Sequence, residues 1–178
     1  MQTRKIDDWL EFNFNPLESR LLQRSLRVVI ANYKIKPQDL DPKTASVWYS
    51  ARGCKTAGMS EEETQEWVEN LHDYKSHNAL QLGRWCDSLA SAKSAARALR
   101  VKLDEAHILL TALNDHRLLL AAMNDIGQKE MDTRDFSEAS GLSARQLAAL
   151  AEMYFLGLLI EQILHFLPGN PSGWAEAL

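Results

Sequence analysis

Apolar residues recur along most of this chain at three- and four-residue intervals, the period of helices with one buried face. The stretch Pro16 to about Tyr33 is the first. Asn15 can cap it, Pro16 suits its first turn, and Glu18 completes a box-like start. A short helix after Asp41-Pro42 carries Val47, Trp48 and Tyr49, with Arg52-Gly53 as its expected end. Ser60 and Glu63 form the plainest capping box, opening a helix through Trp67, Val68 and Leu71. Ser76-His77-Asn78 either bends that helix or lies on its surface, and the helical pattern resumes through Leu80, Leu82, Trp85, Leu89 and Leu99. Another helix is expected from about Glu105 to Ile126, with Gly127 as its cap. Ser143 starts the last, Ala144 to Leu167, which Pro168-Gly169 ends.

Two short segments alternate with period two instead. Leu10 to Phe14 and Arg100 to Asp104 both read as a strand leading into a capped helix. Strands need partners for their backbone groups, so the simplest expectation is that these two pair with each other. The fold class is therefore all-α, a bundle of about five to six helices, with at most a short two-stranded β ribbon. One domain is expected over residues 1–178, with a strand-like lead-in at 1–15 and a loosely held tail at 168–178 that Trp174 and Leu178 can anchor.

Composition narrows the class without naming a function. The 178 residues are 46% hydrophobic, enough for a real core, and sparse Gly and Pro favour long helices. A net charge of −4 gives no global attraction to nucleic acid or anionic lipid. Cys54 and Cys86 stand apart from metal or redox spacing, so reduced thiols are expected. Met1 to Asp8 lacks the apolar run of a secretory signal. The longest apolar run, Tyr154 to Leu167, is shorter than a bilayer span and carries Glu161, so it reads as a core or interface helix. Cytoplasmic location, no cofactor, no metal and no membrane are the expectations.

Candidate chemistry is thin. Arg20, Arg24, Arg27 and Lys34 fall within an arc of roughly 80° on the first helix. That stripe could meet an acidic partner, face water, or pair with the acidic helix carrying Glu61, Glu62, Glu63, Glu66, Glu69 and Asp73. Asp135 to Met153 has the outline of a helix-turn-helix. Its second helix offers only Arg145 and Gln146 before turning apolar, so an ordinary helical corner fits better than DNA binding. Asn114, Asp115, His116 and Arg117 interrupt an apolar helix. His116 falls among Leu109, Leu113, Leu120 and Met123, as a hydrogen-bonded core histidine would. Asp115 and Arg117 on other faces would have to be paired if buried. Tyr154, Glu161 and His165 share one stripe of the last helix, where the i, i+4 pair Glu161 and His165 could form a polar seam or half of a ligand site. His72 and His77 are badly spaced for one metal, and nucleophile elbows, phosphate loops and dinucleotide glycines are absent from the sequence.

The run Val101 to Glu105, followed by Leu113-Asn114-Asp115-His116-Arg117-Leu118, resembles a bacterial family of unknown function, DUF2017. The family's helix of leucine, asparagine, aspartate, any residue, arginine and leucine fits those positions. Phe14-Asn15-Pro16, Glu18, Leu21-Leu22 and Leu26 are similar to its first helix, and Tyr154 with the apolar helix around it to its end. Where the family continues with glycine and a basic residue, Ala121, Ala122 and Met123 stand here, which implies loss of any contact made by that base. The resemblance implies a small bacterial cytosolic helical protein with a regulatory role. Relatives encoded beside an adaptor of an ATP-dependent protease imply a tie to regulated proteolysis.

Together these readings favour a non-enzymatic regulatory or protein-interaction module, homodimeric through an apolar helix face. A metal protein, ligand-binding protein or enzyme using His116, Glu161 and His165 is the alternative, and a DNA-binding regulator using Arg145 and Gln146 is a third.

Overall fold

A computed structural model describes residues 1–91, 97–128, 130 and 141–167. The chain opens with strands β1 (Gln2–Ile6) and β2 (Trp9–Phe14) and continues with helices α1 (Pro16–Tyr33), α2 (Pro42–Trp48), α3 (Arg52–Thr56) and α4 (Glu61–Ser91). Strand β3 (Arg97–Lys102), helix α5 (Ala106–Met123) and helix α6 (Ala144–Phe166) complete it. The predominantly helical class is as the sequence pattern requires.

The β element has three strands rather than two. β2 pairs antiparallel with β3, as expected, and also with β1, in the order β1-β2-β3. β1 escapes sequence reading because QTRKI buries no apolar side chain and so shows no alternation. It joins β2 through the two-residue turn Asp7-Asp8, with Asp7 in the left-handed region (φ 51°) that Asp tolerates better than most residues. The pleat sends Leu10, Phe12 and Phe14 inward with Leu99 and Val101. Leu99 thus belongs to β3 and not to the preceding helical pattern. On the outer face Glu11 sits in register between Arg4 and Arg100 and binds both guanidinium groups. Arg100 first, then Arg4, holds its carboxyl below the ordinary 4.5.

The boxes at Asn15 and Ser60 form as the sequence indicates, and the Ser143 cap is completed by Gln146 into a third. Asn15 with Glu18 opens α1, Ser60 with Glu63 precedes α4, and Ser143 with Gln146 opens α6. Arg52 and Gly53 begin α3 rather than ending α2, whose cap residue is Tyr49. α4 runs continuously through Ser76-His77-Asn78. Its first three turns are almost wholly exposed, and burial begins in earnest at Lys75, on the stripe with Ala79, Leu82, Cys86 and Leu89.

α5 stops at Met123, earlier than expected, and Gly127 is not its cap. Asp125 takes the left-handed position (φ 51°), and the Ile126 N–H reaches back to the Ala121 carbonyl at 3.0 Å, closing the helix end. α5 packs against α1, α2 and α6, while α1 also packs against α4. One large core results, with a small satellite of Ile126, Ala149, Leu150 and Met153 where α5 ends beside α6. Cys54 and Cys86 are buried free thiols. α6, at 23 residues, is longer than the apolar run read from Tyr154 onward, and by length and composition alone could cross a bilayer. One arc of it is buried against the rest of the chain, through Ala149, Leu150, Met153, Leu156, Leu159 and Ile163. The tail at 168–178, with Trp174, Leu178 and the stop at Pro168-Gly169, lies outside the described residues.

Candidate functional site

α5 carries two ionisable residues side by side, and a helix turns neighbours about 100° apart. Asp115 and His116 therefore enter two different clusters.

Asp115 is 7% exposed. Its carboxylate accepts the Tyr33 hydroxyl at 2.7 Å and pairs with the ammonium of Lys75. Its backbone carbonyl accepts the Trp48 indole N–H at 2.7 Å. Lys75 is 2% exposed, and its Nζ lies 5.2, 5.5 and 5.8 Å from the ring centres of Tyr33, Trp48 and Tyr49. A buried ammonium is costly unless compensated, and here one carboxylate and three π faces surround it. Burial, then the charge and hydrogen bond of Asp115, pushes the Tyr33 hydroxyl far above 10. Burial and Asp115 push Tyr49 up to about 12. This knot joins α1, α2, α4 and α5.

The second cluster centres on Glu152 of α6, 5% exposed. The Ser25 hydroxyl donates to it at 2.8 Å, and Arg24 pairs with its other oxygen. His116 Nε2 lies 3.1 Å from Glu152 Oε1. An ionised carboxylate can only accept, so Nε2 carries the proton in that contact. Burial alone would raise the Glu152 carboxyl. The hydrogen bonds of His116 and Ser25, with the charges of His116 and Arg24, outweigh it and hold the group below 4.5. His116 Nδ1 is buried without a hydrogen-bond partner among the described residues.

The sequence-derived candidates scatter across the molecule. Arg20, Arg24, Arg27 and Lys34 are exposed along α1. Arg24 pairs with Glu152 on α6, however, and not with the acidic start of α4. Asn114 is exposed. Arg117 is half-buried, with its guanidinium over Gly157 of α6 and its Nε lacking a described partner. Tyr154 and Glu161 lie on the outer face of α6, and Glu161 makes no hydrogen bond to His165 among the described residues. His116, Glu161 and His165 therefore do not converge, because the histidine faces the interior and the glutamate faces water. Arg145 and Gln146 close the end of α5. Arg145 donates to Asn124 Oδ1 at 2.8 Å and to the Met123 carbonyl at 3.0 Å, and Gln146 donates to the Asn124 carbonyl at 3.2 Å. The start of the supposed helix-turn-helix, residues 135–140, lies outside the described residues. Among the described residues no group of His, Cys, Asp and Glu is arranged to hold a metal. A separate open cleft of ≈ 540 Å³ lies between Lys36–Gln38 and the Gln65, Glu69, His72 and Asp73 face of α4.

Sequence reasoning missed Lys75, Ser25 and Glu152. A signal for two of them was present. Lys75 is in helical phase with Leu71, Ala79 and Leu82, and Glu152 with Ala149, Leu156 and Leu159, so each is a charge on a buried stripe. Pairing them with Asp115 and His116, 40 and 36 residues away, needs the tertiary structure.

The family described as Domain of unknown function (DUF2017) matches residues 4–167, nearly the whole chain. No curated protein and no solved structure matches.

Proposed function

We propose, from the premise that this chain belongs to the DUF2017 family, that it is a non-enzymatic protein-interaction module with a regulatory role. The observation that carries this reading is the sealing of its chemistry. Asp115, His116, Lys75 and Glu152 are 2–7% exposed and are paired with one another across helices. A catalytic acid, base or nucleophile has to touch its substrate, and these groups touch packing partners. The exposed faces of α1, α4 and α6 leave ample surface for recognition. Regulated proteolysis, the tie implied by the family resemblance, is the setting we favour for the partner.

Affinity capture from a native lysate, followed by direct titration of the recovered partner, tests the proposal. Binding is expected to be lost on Glu62→Lys/Glu66→Lys or Arg20→Glu/Arg27→Glu, which change only exposed faces, and kept in a folded His116→Gln variant. Turnover of a small substrate that is abolished by Glu152→Gln while circular dichroism shows the variant still folded would overturn it.

A further inference from the structure

The outer face of the sheet holds a pair of arginines fixed by one carboxylate. Period-two alternation turns Leu10, Phe12 and Phe14 inward and leaves Trp9, Glu11 and Asn13 on the other side. The register places Arg4, Glu11 and Arg100 on one outer rung and Ile6, Trp9 and Lys102 on the next, toward the turn between β1 and β2. Glu11 is buried, yet the two arginine side chains bound to it keep 63% and 64% of their surface. Arg4 uses Nε and Nη2 on one carboxylate oxygen, and Arg100 uses Nε on the other at 2.7 Å. Among the described residues, Nη1 of Arg4 and both Nη nitrogens of Arg100 have no hydrogen-bond partner. On the neighbouring rung Lys102 Nζ lies 5.5 Å from the Trp9 ring centre, and Trp9 and Ile6 are 40% and 39% exposed.

We infer that this face docks an extended acidic segment of a partner protein. The segment runs along β2, with a carboxylate on the arginine pair and an apolar side chain, two residues on, against Trp9 and Ile6. The two rungs are one two-residue step apart, about 6.6–6.8 Å, which is the repeat of an extended chain. One buried carboxylate fixes both guanidinium groups, so a second carboxylate meets donors already in place and little rotamer freedom is lost. Paired arginines recognising an acidic motif are a recurrent docking mode. The inference takes from the interaction-module reading only that the partner is a protein.

The charge pattern favours this occupant over two others. Three cations, Arg4, Arg100 and Lys102, meet one carboxylate on this face, in a chain whose net charge is −4. A second copy presenting the same face would set arginine against arginine. Beyond the Trp9 rung lie three exposed acids, Asp7 and Asp8 in the turn and Asp104 after β3. The Leu103 N–H bonds the Asp8 carbonyl at 2.9 Å and holds those two ends together. A nucleic-acid strand stacked on Trp9 would carry its phosphates toward those aspartates. A peptide with its acid on one rung and an apolar residue on the next brings no negative charge there.

Fluorescence anisotropy with the full chain reads binding of a fluorescein-labelled dodecapeptide made of three Asp-Thr-Leu-Thr repeats, with circular dichroism as the check on folding. Wild type is expected to bind it with a Kd on the order of 100 µM, and the matching Lys-Thr-Leu-Thr peptide about tenfold more weakly. Arg100→Gln and Ile6→Glu are each expected to weaken the acidic peptide by about fivefold or more. Glu11 keeps Arg4 in Arg100→Gln, so no buried carboxylate is left unpaired. Arg20→Gln, which removes the same charge from α1, is expected to change binding by less than about twofold. No binding by wild type at about 1 mM, or equal losses in Arg20→Gln and Arg100→Gln, overturns the docking face. Tighter binding of a labelled twelve-nucleotide oligo-dT, lost in Arg100→Gln, assigns the face to nucleic acid and overturns the peptide. Self-association in sedimentation velocity that Arg100→Gln abolishes assigns it to a second copy and does the same. A failed titration leaves the interaction-module reading standing, because capture from lysate through the faces of α1 and α4 is measured separately.

Discussion

Single residues decide most of this protein's stability where charge is buried. Removing the Asp115 carboxylate leaves the Lys75 ammonium enclosed by aromatic rings with no counter-charge. Asp115→Ala is therefore expected to cost about 3–5 kcal/mol by chemical denaturation, and Asp115→Ala/Lys75→Met to recover much of that loss. Equal destabilisation of the single and double variants would show that the aromatic box, not the ion pair, holds the ammonium. Tyr49 is the opposite case, since its hydroxyl is buried without a described partner. Tyr49→Phe should be neutral or stabilising by up to roughly 1 kcal/mol. Tyr49 ionises near 12 when folded against an ordinary 10. Below pH 10 its ionisation leaves stability untouched, and as pH climbs from 10 toward 12 stability falls, because the unfolded chain loses this proton and the folded one keeps it. The variant should accordingly show a flatter alkaline limb in pH-dependent melts. Glu152 works in the acid direction. Its folded pKa lies below 4.5, so its contribution is present above that value and lost as pH falls through it. Glu152→Gln should be less stable at pH 7 and show a shallower decline below pH 4.5.

Elements are where the sequence was most legible. The start of α1 announced itself in Asn15, Pro16 and Glu18, because the residue types that satisfy free helix N–H groups are few. Ends were less legible. Gly127 looked like the natural stop for α5, yet Asp125 adopts the left-handed backbone, and the clamp from Arg145 and Gln146 comes from α6. β1 could not be read at all, because an edge strand with no buried apolar side chain carries no periodic signal. The candidate site divides the same way. Asp115 and His116 stood out as polar residues in an apolar helix, but their partners are set by packing rather than by spacing. Gly157 offers a test within one element. A Cβ there would meet only the Arg117 guanidinium, at 3.9 Å. Gly157→Ala should raise stability by about 0.5–1 kcal/mol through helix propensity, and a lower melting temperature would show that Arg117 needs that space.

The whole molecule is organised around α5, which touches α1, α2 and α6 and supplies the central acid of one polar knot and the histidine of the other. The amides of α5 between Leu109 and Leu119 are therefore expected to exchange slowest with solvent deuterium. The first three turns of α4, which stand in water on nearly every side, should exchange among the fastest of the helical amides. Exchange that is slower in that start of α4 than in α5 would contradict this ordering.

The enclosure of Lys75 also provides a clock. Amine-acylating reagents modify lysines from the water side, so Lys34 and Lys36 should be labelled promptly in the native protein, while Lys75 reacts only when the helices part. Its slow labelling, followed by mass spectrometry of the intact chain, would time spontaneous opening of the molecule without any denaturant.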